Sequence, residues 1–329
     1  MPESTIKKPN MVEAINQALD YEMGRDNRVI CLGEDVGENG GVFRVTEGLW
    51  KKYGPERCFN TPLSEAGIVG ASIGMAIMGL RPVPEIQFDG FIWPGFDHLV
   101  SHASRIRTRS RGRFSCPLTL RVPYGGGIHA LEHHSDSPEA ILAHVPGLKV
   151  VIPSSPAEAK GLLLSSIRDP DPVIFMEPKR IYRAIRENVP QGEYTIPLGK
   201  ARICRQGTDV TLIGWGAMIR YCEHVAEEIS AATSVEVIDL RTISPLDRET
   251  IISSVSKTGR CVIVHEAPRS GGLGAEISAI LNEKAILSLK APVERVTGFD
   301  TVMPLTKLED HYIPDEFRIK KGIEKVMKF

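Results

Sequence analysis

The chain has 329 residues, 42% of them hydrophobic and 25% charged. That is the balance of a soluble globular protein, long enough for two domains at roughly 100 to 200 residues each. A formal net charge of −1 gives no electrostatic argument for nucleic acid or an anionic membrane as partner, and no apolar run approaches the ~18 residues of a membrane span. In chain order, a short N-terminal tail without an apolar signal core leads into a helix over 11–23. A strand over 28–35, an amphipathic helix over 41–53 and an apolar helix over 65–80 come next. They precede a strand over 81–88, a basic helix over 94–109, and strands over 118–124, 148–153 and 172–178.

Two of the helix starts carry capping signals. Ser137 reads as an N-cap with Pro138 at the first helical position. Ser155 reads as an N-cap with Pro156 behind it and Glu158 closing a capping box. The helix over 65–80 holds Gly67, Gly70, Ala71, Ser72, Gly74, Ala76 and Gly79. Each helix glycine costs about 1 kcal/mol relative to alanine. The repetition therefore predicts close packing, either on another helix, within or across a subunit boundary, or on the chain's own sheet.

Residues 186–207 are polar and carry Pro190 and Pro197, which reads as a linker ending in a strand. Strands over 209–216, 234–240, 261–268 and 292–299 then alternate with helices over 217–229, 247–255 and 273–287. Such alternation implies a parallel sheet with right-handed crossovers. The fold class is thus α/β, with two domains over 1–185 and 208–329, each a mainly parallel sheet flanked by helices. Cys31, Cys58, Cys116, Cys204, Cys222 and Cys261 form no C-x-x-C pair, which fits reduced, mostly buried thiols and a cytoplasmic location.

Several strings look catalytic and are discounted. "GGGIHA" (125–130) follows a strand, but the next helix signal comes only near residue 137, too late for a dinucleotide turn. "SGGLGAE" (270–276) lacks both the full spacing and a phosphate-binding lysine. A metal site on His129, His133 and His134 is discounted: His129 and His133, at i, i+4, would share a face only on a helix, and the glycines before them argue against one.

Four stretches together resemble one family. They are "LGEDVGENGGVFRVTEGLWKKYGPERCFNTPLSEAGIVGASIGMAIMGLRPVPEIQF", "HHSDSPEAILAHVPGLKVVIPSSPAEAKGLL", "VEVIDLRTISPLD" and "VIVHEAPRSGGLGAEI". They resemble the beta subunit of the thiamine-diphosphate-dependent decarboxylating component of 2-oxo acid dehydrogenase complexes. Through "EIQF", "SDSPEA", "IFMEPKRIYRA" and "YIPDEF" the likeness is to the branched-chain type, with pyruvate and acetoin types close. The resemblance implies a pyrimidine-binding domain followed by a transketolase C-terminal-like domain. It also implies an α2β2 heterotetramer with the cofactor at the α/β interface. The alternative is a non-catalytic scaffold of the same fold.

The chain has no G-D-G, the motif that in this family begins the Mg2+ and diphosphate site. The resemblance therefore places those ligands on a separate alpha subunit. Glu65 matches the glutamate that partners N1′ of the aminopyrimidine and promotes the imino form that removes the C2 proton. His134 matches the active-site histidine that guides proton transfer or acylation of the lipoyl group. Phe91 stands for a family tyrosine facing the pyrimidine, and Gln87 matches a substrate-side residue. His133 stands where the family usually has tyrosine, and His129 matches a family histidine. Leu118, Ser166, Ile167, Asp169 and Asp171 match a structural potassium site, Asp171 replacing an asparagine. The C-terminal domain is expected to mediate β–β contact. It is also expected to dock the subunit-binding domain of the dihydrolipoyl acyltransferase core, whose lipoyl domain brings the acyl acceptor.

Overall fold

The computed structural model describes residues 8–329, so most of the expected N-terminal tail lies outside the described residues. Twelve strands are found there. In chain order they are β1 (Val29–Gly33), β2 (Cys58–Asn60), β3 (Arg81–Glu85), β4 (Thr119–Tyr124), β5 (Lys149–Val151) and β6 (Val173–Pro178). There follow β7 (Arg202–Arg205), β8 (Val210–Gly214), β9 (Val235–Asp239), β10 (Thr242–Ser244), β11 (Cys261–Val264) and β12 (Glu294–Val296). They build a seven-stranded sheet of order β10-β5-β6-β4-β3-β1-β2 and a five-stranded sheet of order β12-β11-β8-β9-β7. Every pairing is parallel except β10 on β5 and β7 on β9. The central strands β1, β4, β6, β8 and β9 are buried along their whole length. Helices on both faces of a parallel sheet require this, which is why the strands read as mostly apolar runs.

One strand crosses between the two units. β10 follows β9 in the chain, yet it pairs antiparallel with β5 of the first sheet, Thr242 opposite Val151. The junction is further held by ions. Glu158 Oε1 lies 2.7 Å from both Arg202 Nε and Arg241 Nε, and Ser154 Oγ bonds both Glu158 and Asp239. Burial and the adjacent Glu158 push the Asp239 carboxyl up. Burial acts the same way on Glu158, but Arg202 and Arg241 outweigh it and hold that group down. Glu158 therefore does not close the expected capping box. Ser155 accepts from Glu158 N, but the Glu158 carboxylate turns to Ser154 and the two arginines.

Three other local expectations are corrected. The helix over 41–53 shrinks to Leu49–Tyr53, because Gly41, Arg44 and Gly48 take left-handed backbone angles that break it. The basic helix divides into Trp93–Ser101, a 3-10 turn Ala103–Arg105 and Ile106–Arg109, with the break at His102. Ser137 caps nothing: the helix is Glu139–Ala143, its N-cap is Pro138, and no side chain caps it. The small-residue helix Glu65–Ile77 does pack closely on another helix of this chain. A Cβ at Gly95 would meet Val69 Cγ2 and lie 3.1 Å from Glu65 O, and one at Gly70 would lie 3.6 Å from His98. Gly67, Ala71 and Gly74 on its far side are exposed.

Candidate active site

Glu34, Glu65, Phe88, Phe91, His134 and Lys179 all follow the carboxyl ends of β1, β2, β3, β4 and β6. Open parallel sheets bind ligands outside those ends, where loops from several strands meet. Glu65 opens its helix. Ser64 Oγ accepts from Gly67 N at 3.3 Å, and the half-buried Glu65 carboxylate sits where the helix end is electropositive. The tight fit of Gly95 under Glu65 sets this turn against the helix that follows Phe91. Burial, and next the charge of Glu65, push the Glu34 carboxyl up. Two carboxyl groups thus share this corner, where the sequence reading singled out one.

His134 lies against an aromatic wall. Its ring centroid is 4.3 Å from Phe88 and 5.1 Å from Phe91. Its Nδ1 is 2.6 Å from Glu132 O. A carbonyl only accepts, so Nδ1 carries the proton of this bond and Nε2 is left for chemistry. The helix expected just beyond His134 begins only at Glu139, so the local carbonyl orients the ring and no helix dipole does. His133 turns away: it has a φ of +64° and its Nδ1 is 4.0 Å from Asp136. His129 bonds Thr306 O at 3.0 Å. The three histidines do not converge. No cluster of three His, Cys, Asp or Glu side chains able to hold a metal occurs among the described residues.

Gln87 lies half-buried in the same loop as Phe88 and Phe91. Sequence reasoning missed Phe88, Asp89 and Lys179, which the fold places around His134. It could have seen that Lys179 and Asp89 are charged residues shortly after largely buried strands, positions that demand a partner. It also missed what fills the glycine turn. Gly126 N donates to Glu266 Oε2 at 3.0 Å, and Gly127 N bonds Glu309. Two carboxylates of the C-terminal unit thus occupy the turn that resembled a phosphate loop, and they tie down the loop that carries His134.

The residues expected around potassium lie at the opposite, amino end of the sheet. Leu118 O accepts Val173 N at 2.9 Å, and Ser166 Oγ donates to Leu162 O at 2.7 Å. Arg81 Nη1 reaches Ile167 O at 2.7 Å and Asp169 O at 3.3 Å. Asp169 pairs with Lys149 at 2.5 Å, and Asp171 with Arg107 at 2.7 Å. These oxygens serve the chain's own cations and backbone donors. The set does not fit an open oxygen cage.

Fold and site define a class: a two-domain thiamine-enzyme α/β fold, with a carboxylate, an aromatic wall and a histidine at one sheet edge. Residues 7–184 match the transketolase pyrimidine-binding domain, and residues 199–319 the transketolase C-terminal domain. A split-gene transketolase described as an inactive β4 tetramer superposes with a TM-score of 0.79 over 98% of this chain and 99% of that one, at 20% identity, a likeness of fold alone. The pyruvate dehydrogenase E1 component subunit beta of Acholeplasma laidlawii is 54% identical over 97% of this chain and 98% of its own length. The mitochondrial 2-oxoisovalerate dehydrogenase subunit beta of Dictyostelium discoideum is 53% identical over 98% of this chain and 88% of its own. The chain belongs to the E1 beta subunits of the 2-oxo acid dehydrogenases, a thiamine-diphosphate-dependent family. Relatives of pyruvate and branched-chain type stand equally near, so likeness alone does not select the branched-chain type.

Proposed function

We propose that this chain is the beta half of an enzyme that oxidatively decarboxylates a branched-chain 2-oxo acid and passes the acyl group to lipoyl of an acyltransferase core. The observation that carries the reading is the shared carboxyl edge, where the Glu65 turn, the Phe88–Phe91 wall and His134 converge. Bound thiamine diphosphate supplies the carbon nucleophile and the electron sink. In this reading Glu65 holds a proton at N1′ of its pyrimidine, with Phe91 and Gln87 flanking. His134, oriented through Nδ1, moves a proton at Nε2 during transfer to lipoyl. The missing G-D-G supports Mg2+ and diphosphate ligands on an alpha subunit in an α2β2 tetramer; in this reading the C-terminal unit docks the core. "EIQF", "SDSPEA" and the 2-oxoisovalerate relative support the branched-chain substrate.

The test is co-expression with the alpha subunit, then assay of 2-oxoisovalerate, pyruvate and acetoin with thiamine diphosphate and Mg2+. The expected outcome is activity only in the pair, with the highest kcat/KM on 2-oxoisovalerate. Activity of this chain alone would refute the half-site. Preference for pyruvate or acetoin would reassign the substrate, and an inactive pair would leave a scaffold.

A further inference from the structure

Lys179 begins the 3-10 turn after β6 and its side chain is fully buried. Its ammonium donates to Asp89 Oδ1 at 2.5 Å and to the backbone oxygen of His134 at 2.6 Å. The Phe88 ring, which also packs on His134, lies 5.3 Å from the same nitrogen. One cation therefore joins the loops after β3, β4 and β6 directly beneath the site histidine. Asp89 is buried as well, and its second oxygen has no hydrogen-bond partner. The neighbouring glycine completes the seat: a Cβ on Gly90 would collide with the carbonyl oxygen of His133.

A buried ion pair is a poor source of stability, because removing two charges from water costs about what their attraction returns. The pair therefore needs another explanation, and the third bond supplies it. Lys179 spends one of its three donors on a backbone carbonyl that accepts no backbone N–H. That carbonyl belongs to His134. Fixing it limits how far the imidazole can move against Phe88 and Phe91. Nδ1 is already tied to Glu132 O, so ring and backbone are both held.

We propose that Lys179, with its charge balanced by Asp89, is a positioning residue that holds the His134 backbone so that the free Nε2 stays in place for acyl transfer. This rests on the reading of His134 given above.

The experiment uses the assembled alpha–beta enzyme and two readouts, acyl transfer to a lipoyl domain and decarboxylation with ferricyanide as acceptor. Misplacement by about 1 Å is enough to cost on the order of 100-fold in rate. D89L/K179M removes both charges and leaves none uncompensated. In it the ratio of acyl transfer to decarboxylation should fall at least ~10-fold, through kcat with little change in KM for the lipoyl domain. D89N keeps the Lys179 bond to His134 and should stay within ~3-fold of the native ratio. G90A displaces the same loop from the other side and should reproduce the ratio loss, which keeps the test decisive should the double variant fail to assemble. A native ratio in D89L/K179M or in G90A, while His134→Ala loses acyl transfer, overturns the proposal. So does an equal fall of both activities. Retention of acyl transfer by His134→Ala instead overturns the role of His134 itself, and the proposal with it.

Discussion

The carboxyl edges of the two sheets are built alike and used differently. Along the first, half-buried groups such as Glu34, Glu65 and His134 border the site. Along the second, the corresponding groups are sealed. Trp215 follows β8, and His265 and Glu266 follow β11, all of them buried. Trp215 stacks on His265 at 5.2 Å and its Nε1 is 3.4 Å from Glu139 of the first unit. Glu266 holds Gly126 N, and a Cβ on Gly216 would press on Tyr124. The second edge is spent on docking the first unit. A histidine at a strand end is thus open or sealed according to whether a neighbouring unit covers it.

The widest separation between the edges should come from paired histidine variants. His134→Ala should lower lipoyl acylation by about 10²–10⁴-fold, the usual worth of a positioned acid–base group. His265→Phe should leave turnover within about threefold, because its ring only packs. Stopped-flow acylation of a lipoyl domain measures both, and comparable losses would erase the contrast.

Beneath the first edge, Arg121 binds Glu177 twice, at 2.7 and 2.9 Å, and Glu85 at 2.6 Å. All three are buried. Arg121→Met strands two carboxylates and should destabilise by about 3–5 kcal/mol in urea denaturation.

The sealed edge should also show in the pH dependence of stability. Burial, with Arg295 next, pushes His265 down to about 4. Between that value and the ordinary value near 6.5 the unfolded chain binds more protons, so stability rises with pH there. The His265 contribution is complete above about pH 6.5 and is lost as pH falls toward 4. At about 1.4 kcal/mol per pKa unit it is worth up to roughly 3 kcal/mol. Glu139, pushed up to about 8 by its burial, acts in the opposite sense: its contribution is present at low pH and is lost as pH rises through that value. The native-minus-His265→Phe difference in urea stability, taken at pH 5 and pH 7, isolates the histidine. An equal difference at both would remove the argument.

The smallest effect belongs to the opposite end of the first sheet. Arg81→Met should lower stability by about 1–3 kcal/mol, by freeing two partly buried carbonyls. Replacing K+ with choline should leave the native Tm unchanged, and a clear fall in Tm would restore the potassium site there.

The parallel strands were legible because strands covered on both faces are mostly apolar, with Arg121 in β4, Glu177 in β6, and Glu236 and Asp239 in β9 as buried, partnered exceptions. Glu65 and His134 were singled out through motif resemblance, but their surroundings were not. Asp89 and Lys179 lie 90 positions apart, and no local periodicity links them. The helix boundaries at 41–53 and 137–139 failed for a nearer reason. Left-handed backbone at Gly41, Arg44 and Gly48, and a cap without a side-chain bond at Pro138, are settled by what the loops must reach.

By itself, then, the amino-acid order determined two α/β units and most of their strands, though not β2 or β10, because burial pattern is a local property. Only the tertiary structure decided that β10 pairs with β5, that Glu266 and Glu309 fill the glycine turn, and that Lys179 lies under His134. Those are contacts between distant segments, chosen by which buried charge or unpaired backbone group finds its partner when the chain closes.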